Sequence, residues 1–339
     1  MENNPIQKQI ASAVCALTNA EDAFHIESIQ SLWSGYGEIA RYQLIGANQQ
    51  TAVVKHIAPP EQSHHPRGWN TQHSHNRKLQ SYRVETAWYQ HWANLCTFNC
   101  RVPRCFGVEQ FEQTSVIVLE DLDQAGFSLR KSTLNQNEYL ACVHWLAHFH
   151  GRFLGLGPEK SPHHGLWPVG TYWHLDTRPD ELAAMEEGEL KSKASLIDKA
   201  LKNAEFQTIV HGDAKVANFC FSESASHEEN NTVAAVDFQY VGFGCGMKDL
   251  AYFMGSCLDE EQCQAQYSST LNYYFAELAK ALAHHHTHVD AKAVEQEWRA
   301  LFPMAWADFE RFLAGWMPTH KKRNRFSHTL TQQALSILS

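Results

Sequence analysis

The sequence has no Cys-x-x-Cys pair, no sustained apolar run and no excess of basic residues, and each absence removes a class of protein. Its nine cysteines are an odd number, and the gaps between Cys96, Cys100 and Cys105 fit no common zinc spacing. Reduced, mostly buried thiols are expected. No stretch approaches the ~18 apolar residues of a membrane span, and the start Met1-Glu2-Asn3-Asn4 lacks the regions of a secretory signal. A cytoplasmic protein with no membrane partner follows as the expectation. Lysine and arginine total 28 against 37 acidic residues, a formal charge of -9 that argues against nucleic acid as a partner. There is no internal repeat and no signal of oligomeric state; the one biased tract is His284-His285-His286-Thr287-His288.

What is present is an ordinary globular composition, 44% hydrophobic and 12% aromatic over 339 residues, enough for a buried core and about two domains. Apolar residues at Ile6, Ile10, Val14 and Leu17 predict a lead-in helix over Pro5 to Thr18. Short apolar stretches then alternate with turn residues, predicting antiparallel strands at Ile29 to Trp33, Ile39 to Ile45 and Thr51 to Ile57. The stretch Pro59 to Asn76 reads as a loop. A helix from Lys78 to Leu95 with Val84, Trp88, Trp92 and Leu95 on one face follows, then strands at Val102 to Val108 and Val116 to Leu119. The run from Glu120 to Gly126 leaves the sheet, so the expected boundary divides residues 1–122 from 123–339. Beyond it helices dominate, beginning with Tyr139 to Leu154, and short strands return at Gln207 to Val210, Phe219 to Phe221 and Val233 to Val236.

The chemistry-bearing segment is Ile209-Val210-His211-Gly212-Asp213-Ala214-Lys215-Val216-Ala217-Asn218-Phe219, followed after a polar loop by Val236-Asp237-Phe238-Gln239. An Asp, an Asn five residues later and a further Asp at the end of a strand stand in the order that the catalytic loop of kinases shows, and the likeness is carried by these residues. The segment resembles the protein-kinase-like small-molecule phosphotransferases, the branch of aminoglycoside and choline kinases. The continuation, Gln239-Tyr240-Val241-Gly242 to Asp249-Leu250-Ala251-Tyr252, is most similar to the ecdysteroid-kinase-like group.

The resemblance implies an α+β, two-lobed protein-kinase-like fold that binds ATP and Mg²⁺ between its lobes. Phosphoryl transfer asks the protein for positioning and charge compensation. Asn218 and Asp237 offer hard oxygen ligands for the metal. Asp213 is placed to orient the acceptor hydroxyl, and Lys215 to face the transferring phosphate. Lys55, in Ala52-Val53-Val54-Lys55, would hold the α- and β-phosphates and contribute little to the core; Glu85, the lone acidic residue of the following helix, would be its partner. Gly35, Tyr36 and Gly37, after Ser34, stand where a nucleotide-covering loop belongs, and Glu120 to Leu122 where hinge backbone meets the adenine edge. Asp249 is expected to support the catalytic-loop backbone.

The missing Ala-Pro-Glu segment and the short run from Asp237 to Asp249 disfavour a protein substrate, leaving a small choline-like, aminosugar or sterol-like alcohol. Trp167, Tyr172 and Trp173, or Trp298, Trp306, Phe309, Phe312 and Trp316, could line the acceptor site, but helical spacing favours core packing for the second group. A catalytically weak ligand-binding relative is the non-enzymatic alternative. A nicotinamide or flavin oxidoreductase fails because Met247 stands where the third glycine of the dinucleotide motif belongs, so Gly242, Gly244 and Gly246 read as turns. The histidine tract reads as a solvated helix end with a lesser possibility of metal binding.

Overall fold

The computed structural model describes residues 5–32, 35–59, 72–111, 114–159, 165–223 and 232–339. Helix α1 (Pro5–Thr18) precedes the strands β1 (Asp22–Ser31), β2 (Gly37–Ile45) and β3 (Thr51–Ile57). Helix α2 (Gln72–His91) then leads to β4 (Cys105–Phe111) and β5 (Thr114–Glu120). These five strands form one antiparallel sheet in the order β1-β2-β3-β5-β4.

Strand alternation sorts the side chains between two faces. One face buries Ala40, Tyr42, Leu44, Ala52, Val54, Val116 and Val118 beneath Ile10 and Val14 of α1. The opposite face packs Ile57, Ile117 and Leu119 with Val84 and Trp88 of α2. Helix α1 is therefore a covering layer of the sheet and not a lead-in. At ~1.5–3 kcal/mol per fully buried aliphatic side chain, Ile10 and Val14 alone bind it firmly.

Several expected boundaries move. The first strand begins at Asp22, because His25 and its neighbours already pair with β2 even though Phe24, Ile26 and Ile29 point to solvent. The fourth begins at Cys105, after Pro103, which has no N–H for a ladder. Residues 72–76, expected as loop, form the first turn of α2, while 60–71, Trp33 and Ser34 lie outside the described residues. That helix ends at His91, a separate short turn covers Ala93–Leu95, and Leu95 is exposed where burial was expected.

The second lobe is built on α3 (Gln136–Arg152), whose residues from Ala141 to Gly151 are all buried, so it is a central helix and not an amphipathic one. Two small helices, α4 (Pro179–Ala184) and α5 (Glu189–Ser192), and α6 (Ala194–Lys202) follow. Four short strands come next, β6 (Thr208–Val210), β7 (Phe219–Phe221), β8 (Val233–Ala235) and β9 (Gly242–Gly244), and then α7 (Met247–Cys257), α8 (Glu260–His285), α9 (Ala291–Trp316) and α10 (Arg325–Ile337).

Strand β9 corrects the reading of its glycines as turns, since it pairs antiparallel with β6, Val210 opposite Gly242. A Cβ on Gly242 would stand 2.4 Å from the Trp167 carbonyl oxygen, so glycine is there to let a crossing backbone come close. All nine cysteines are free thiols. Among the described residues no helix is long and apolar enough to cross a membrane.

Candidate active site

Lys55, on the sheet face that meets α2, is buried, and its Nζ lies 2.6 Å from Oε2 of Glu85, which is also buried. The same ammonium stands 3.9 Å from Oδ1 of Asp237. Burial pushes the Glu85 carboxyl upward against the pull of Lys55. For Asp237 the balance reverses: burial would raise it, but Lys55, Lys78 and Lys215 together hold it below the usual carboxylate range.

Asp213 sits on the loop between β6 and β7, and the loop's shape depends on Asp249 at the start of α7. Oδ2 of Asp249 accepts from His211 N at 2.5 Å and Oδ1 from Gly212 N at 2.9 Å. His150 Nε2 lies 3.1 Å from the same carboxylate and His150 Nδ1 2.7 Å from the Tyr274 hydroxyl, all of them buried. Gly212 has φ of +80°, and a Cβ there would stand 2.0 Å from the Tyr240 carbonyl oxygen, so the turn into Asp213 admits only glycine.

Asp213 Oδ2 accepts from Lys215 Nζ at 2.8 Å and Asn218 Nδ2 at 3.1 Å. Its Oδ1 is buried with no hydrogen-bond partner among the described residues. Burial raises the Asp213 carboxyl, opposed by Lys215 and reinforced by Asp237. Asn218 Nδ2 also donates to the Asp213 carbonyl at 2.8 Å, which turns the amide oxygen away from that loop. Asp237 follows β8 in a left-handed conformation, φ +68°, and its side chain keeps 36% of its surface exposed.

The Asn218 amide oxygen and the accessible Asp237 carboxylate are a donor set suited to a hard divalent cation such as Mg²⁺, while the orphaned Asp213 oxygen suits a hydroxyl donor. Three ammonium groups around them suit a polyphosphate. One of these, Lys78, escaped the sequence reading. Its Nζ donates to Gln239 Oε1 at 2.9 Å, lies 4.7 Å from the Tyr82 ring centroid, and is lowered to about 8 by burial, which Asp237 partly opposes. The signal was available, because Lys78, Tyr82 and Glu85 recur at four- and three-residue intervals on one helix face. Gln239 was read only as part of a motif, yet it bonds Asp237, Lys78 and Ser81 at once.

Gly35, Tyr36 and Gly37 make a tight turn in which Leu32 N–H donates to the Gly37 carbonyl at 2.8 Å. The Tyr36 ring is buried against Tyr82, with its hydroxyl on His75 Nδ1. At the exit from the sheet, the Glu120 carboxylate faces Arg101, 2.6 Å away, so only backbone is available to a ligand there. Leu122 is buried with Phe127, Cys220 and Ala234. Asp121, read from the sequence only as part of the hinge run, accepts from Arg41 Nε at 2.7 Å and Thr51 Oγ1 at 2.7 Å and so straps the connection to β2 and β3.

Beyond Asp213 lies an aromatic wall. Tyr172 contacts Tyr252 and Phe312, and Tyr252 packs on Phe309. Lys322 Nζ stands 5.3 Å from the Tyr252 ring centroid and 5.5 Å from that of Phe309. Trp173, Trp298 and Trp306 are core residues, and Trp167 stacks on Tyr240.

A strand lysine paired with a helix glutamate, set over an Asp-x4-Asn loop and a second Asp between a sheet-rich and a helical lobe, is the arrangement of the protein-kinase-like fold. The sequence matches the model of the ecdysteroid kinase-like family over residues 72–156 and 172–287, and the chain belongs to that family. Among solved structures it is similar to a microcompartment-associated aminopropanol kinase, at 14% identity over 96% of this chain and 94% of that one, TM-score 0.44. It is also similar to a choline/ethanolamine kinase family protein from Mesorhizobium loti, at 13% identity over 91% and 87%, TM-score 0.41. A third is an aminoglycoside phosphotransferase from Streptomyces rimosus, at 15% identity over 82% and 92%, TM-score 0.37. No curated protein sequence matches the chain.

Proposed function

We propose that the protein transfers the γ-phosphate of ATP to a hydroxyl of a small neutral alcohol. The observation that carries this reading is the position of Lys55, 2.6 Å from Glu85 and 3.9 Å from Asp237, over a loop that presents Asp213. Lys55 and Lys78 bind the polyphosphate, and the backbone of Glu120 to Leu122 meets the base. The turn at Gly35, Tyr36 and Gly37 covers the nucleotide. Asn218 and Asp237 hold Mg²⁺, which when bound neutralises the charge of the phosphates. Asp213 Oδ1, which has no hydrogen-bond partner among the described residues, accepts the hydrogen bond of the acceptor hydroxyl and aims its oxygen at the γ-phosphorus. The new O–P bond forms as the bond to the ADP oxygen breaks, the hydroxyl proton passes to Asp213, and Lys215 compensates the charge on the moving phosphoryl group.

The aromatic wall supports a sterol-like over a choline-like or aminosugar acceptor. Lys322 is the cation over those rings and has no carboxylate within ion-pair distance among the described residues, so a second cation there would be repelled. A panel of neutral, cationic and anionic alcohols, scored by ATP consumption and product mass, tests the assignment. Phosphorylation of a neutral ring-bearing alcohol is expected. Turnover confined to amino alcohols would overturn the acceptor class, and no turnover with any alcohol would favour the ligand-binding alternative.

A further inference from the structure

Away from the cleft, α3 and α8 bring His144, His148 and Glu277 together, and nothing in phosphoryl transfer uses them. The histidines are four residues apart and so share one face of α3, which they present to the glutamate on α8. His144 Nδ1 lies 3.0 Å and His148 Nε2 3.3 Å from the same atom, Glu277 Oε2, and the two imidazole rings stand 4.1 Å apart. All three residues are buried, and one ligand atom from each lies within 4.8 Å of the others. We infer that His144, His148 and Glu277 form a transition-metal site, of the zinc class, that pins α3 to α8.

Three observations favour a metal over a purely hydrogen-bonded cluster. A hydrogen bond to Glu277 needs one imidazole, yet two from successive turns converge on one oxygen atom. A tetrahedral cation ~2.0–2.1 Å from nitrogen and oxygen ligands spaces those ligands by ~3.3 Å; the two nitrogen–oxygen separations, 3.0 and 3.3 Å, are of that size, and the two nitrogens lie within 4.8 Å of each other. Two imidazoles and one carboxylate are the borderline donors that select Zn²⁺, Co²⁺ or Ni²⁺ over Mg²⁺ or Ca²⁺. The remaining position is left for water.

The site also has an entry and a competitor. Lys280 Nζ lies 2.5 Å from Glu277 Oε1, and its side chain is 66% exposed, so an ammonium that can swing away caps one oxygen of the buried carboxylate. Metal binding displaces Lys280 and leaves Glu277 to the cation. The residues of His284 to His288 continue from the C-terminal end of the same helix and form a second, surface group of imidazoles that any experiment must separate from the buried one.

The test is a Co²⁺ and Zn²⁺ titration of tag-free, full-length protein, repeated in a variant with His284, His285, His286 and His288 replaced by Asn. One equivalent of Co²⁺ with tetrahedral ligand-field bands is expected in both, displaced by Zn²⁺, with a higher melting temperature for the metal complex. His148→Ala should weaken binding by at least the ~10–100-fold lost when even outer partners of a metal ligand are removed. Lys280→Gln should tighten it. If His148→Ala does not fold, Glu277→Gln and X-ray absorption on the parent's zinc complex replace it, the latter expected to show two imidazoles in the first shell. Bands absent from the parent, bands lost with the surface histidines alone, or binding indifferent to His148→Ala and Glu277→Gln would each overturn the site. Because the readout is metal uptake, the result is independent of whether the cleft phosphorylates alcohols.

Discussion

The side-chain nitrogen of Gln239 stands 2.8 Å from Oδ1 of Asp237. Its oxygen accepts from Lys78 at 2.9 Å and Ser81 at 3.2 Å, so one amide orients the carboxylate proposed to hold Mg²⁺ and the α2 cation proposed to hold phosphate. Gln239→Leu keeps the volume and deletes these bonds. The Mg²⁺ concentration for half-maximal rate should rise about tenfold, as for loss of an outer partner of a metal ligand, and KM for ATP should rise with it. A magnesium dependence equal to the parent's would mean that Gln239 does not orient Asp237.

Lys55 and Glu85 should act as one unit. A cleft lysine is expected to matter little to folding, but here both partners are buried, so Lys55→Ala strands a carboxylate and should cost about 3–5 kcal/mol of stability. Glu85→Gln should lower turnover in the same direction. In a double-mutant cycle the loss in the double variant should fall well short of the sum of the two single losses, for both kcat/KM and unfolding free energy. Additive losses would show that the pair does not operate together.

Asp213 and Asp237 should fail differently. Asp213→Asn keeps the shape and the bonds to Lys215 and Asn218 but cannot take the hydroxyl proton, so ATP with Mg²⁺ should still bind while transfer slows ~10²–10⁴-fold. Asp237→Ala should abolish the Mg²⁺-dependent tightening of ATP binding together with turnover. Calorimetric titrations with and without Mg²⁺ separate the two, and parental magnesium dependence in Asp237→Ala would remove that residue from the metal site.

The pH profile should carry a signature of Lys78. Burial lowers its ammonium to about 8, so the cation is present below that pH and lost above it. Accordingly kcat/KM for ATP should fall as pH rises through about 8, and Lys78→Met should lower the plateau and remove that limb. On the acid side, the raised Asp213 carboxyl should bring the loss of kcat/KM to a higher pH than an ordinary aspartate would.

Asp249→Ala should be a stability variant. It leaves the buried N–H groups of His211 and Gly212 and the buried His150 imidazole without their acceptor, at ~1–3 kcal/mol for each unsatisfied group. The melting temperature should drop and turnover with it. An unchanged melting temperature would contradict the role.

The sequence announced the site best where chemistry demands a fixed spacing along the chain, as between Asp213 and Asn218. Glu85 was legible because no other acid competes with it. Gln239, Asp121 and Lys322 were not, because each acquires its role from partners far away in sequence: Gln239 reaches back to α2, Asp121 to Arg41, and Lys322 to rings on α7 and α9. Strand β9 was hidden because glycine signals a turn, whereas here it marks a close backbone crossing. The covering role of α1 was equally invisible, since a helical period says which face is apolar and not what meets it.

The backbone of Asp237, at φ +68°, has a further consequence for how the protein trades durability against use. An L-residue in that region costs ~1–3 kcal/mol, a cost that the surrounding fold must absorb, and a residue without a Cβ would sit there with less strain. Asp237→Gly would relieve the backbone while leaving Lys55, Lys78 and the Gln239 amide without the carboxylate they face, so the strain is held in place by the same charges that the site uses.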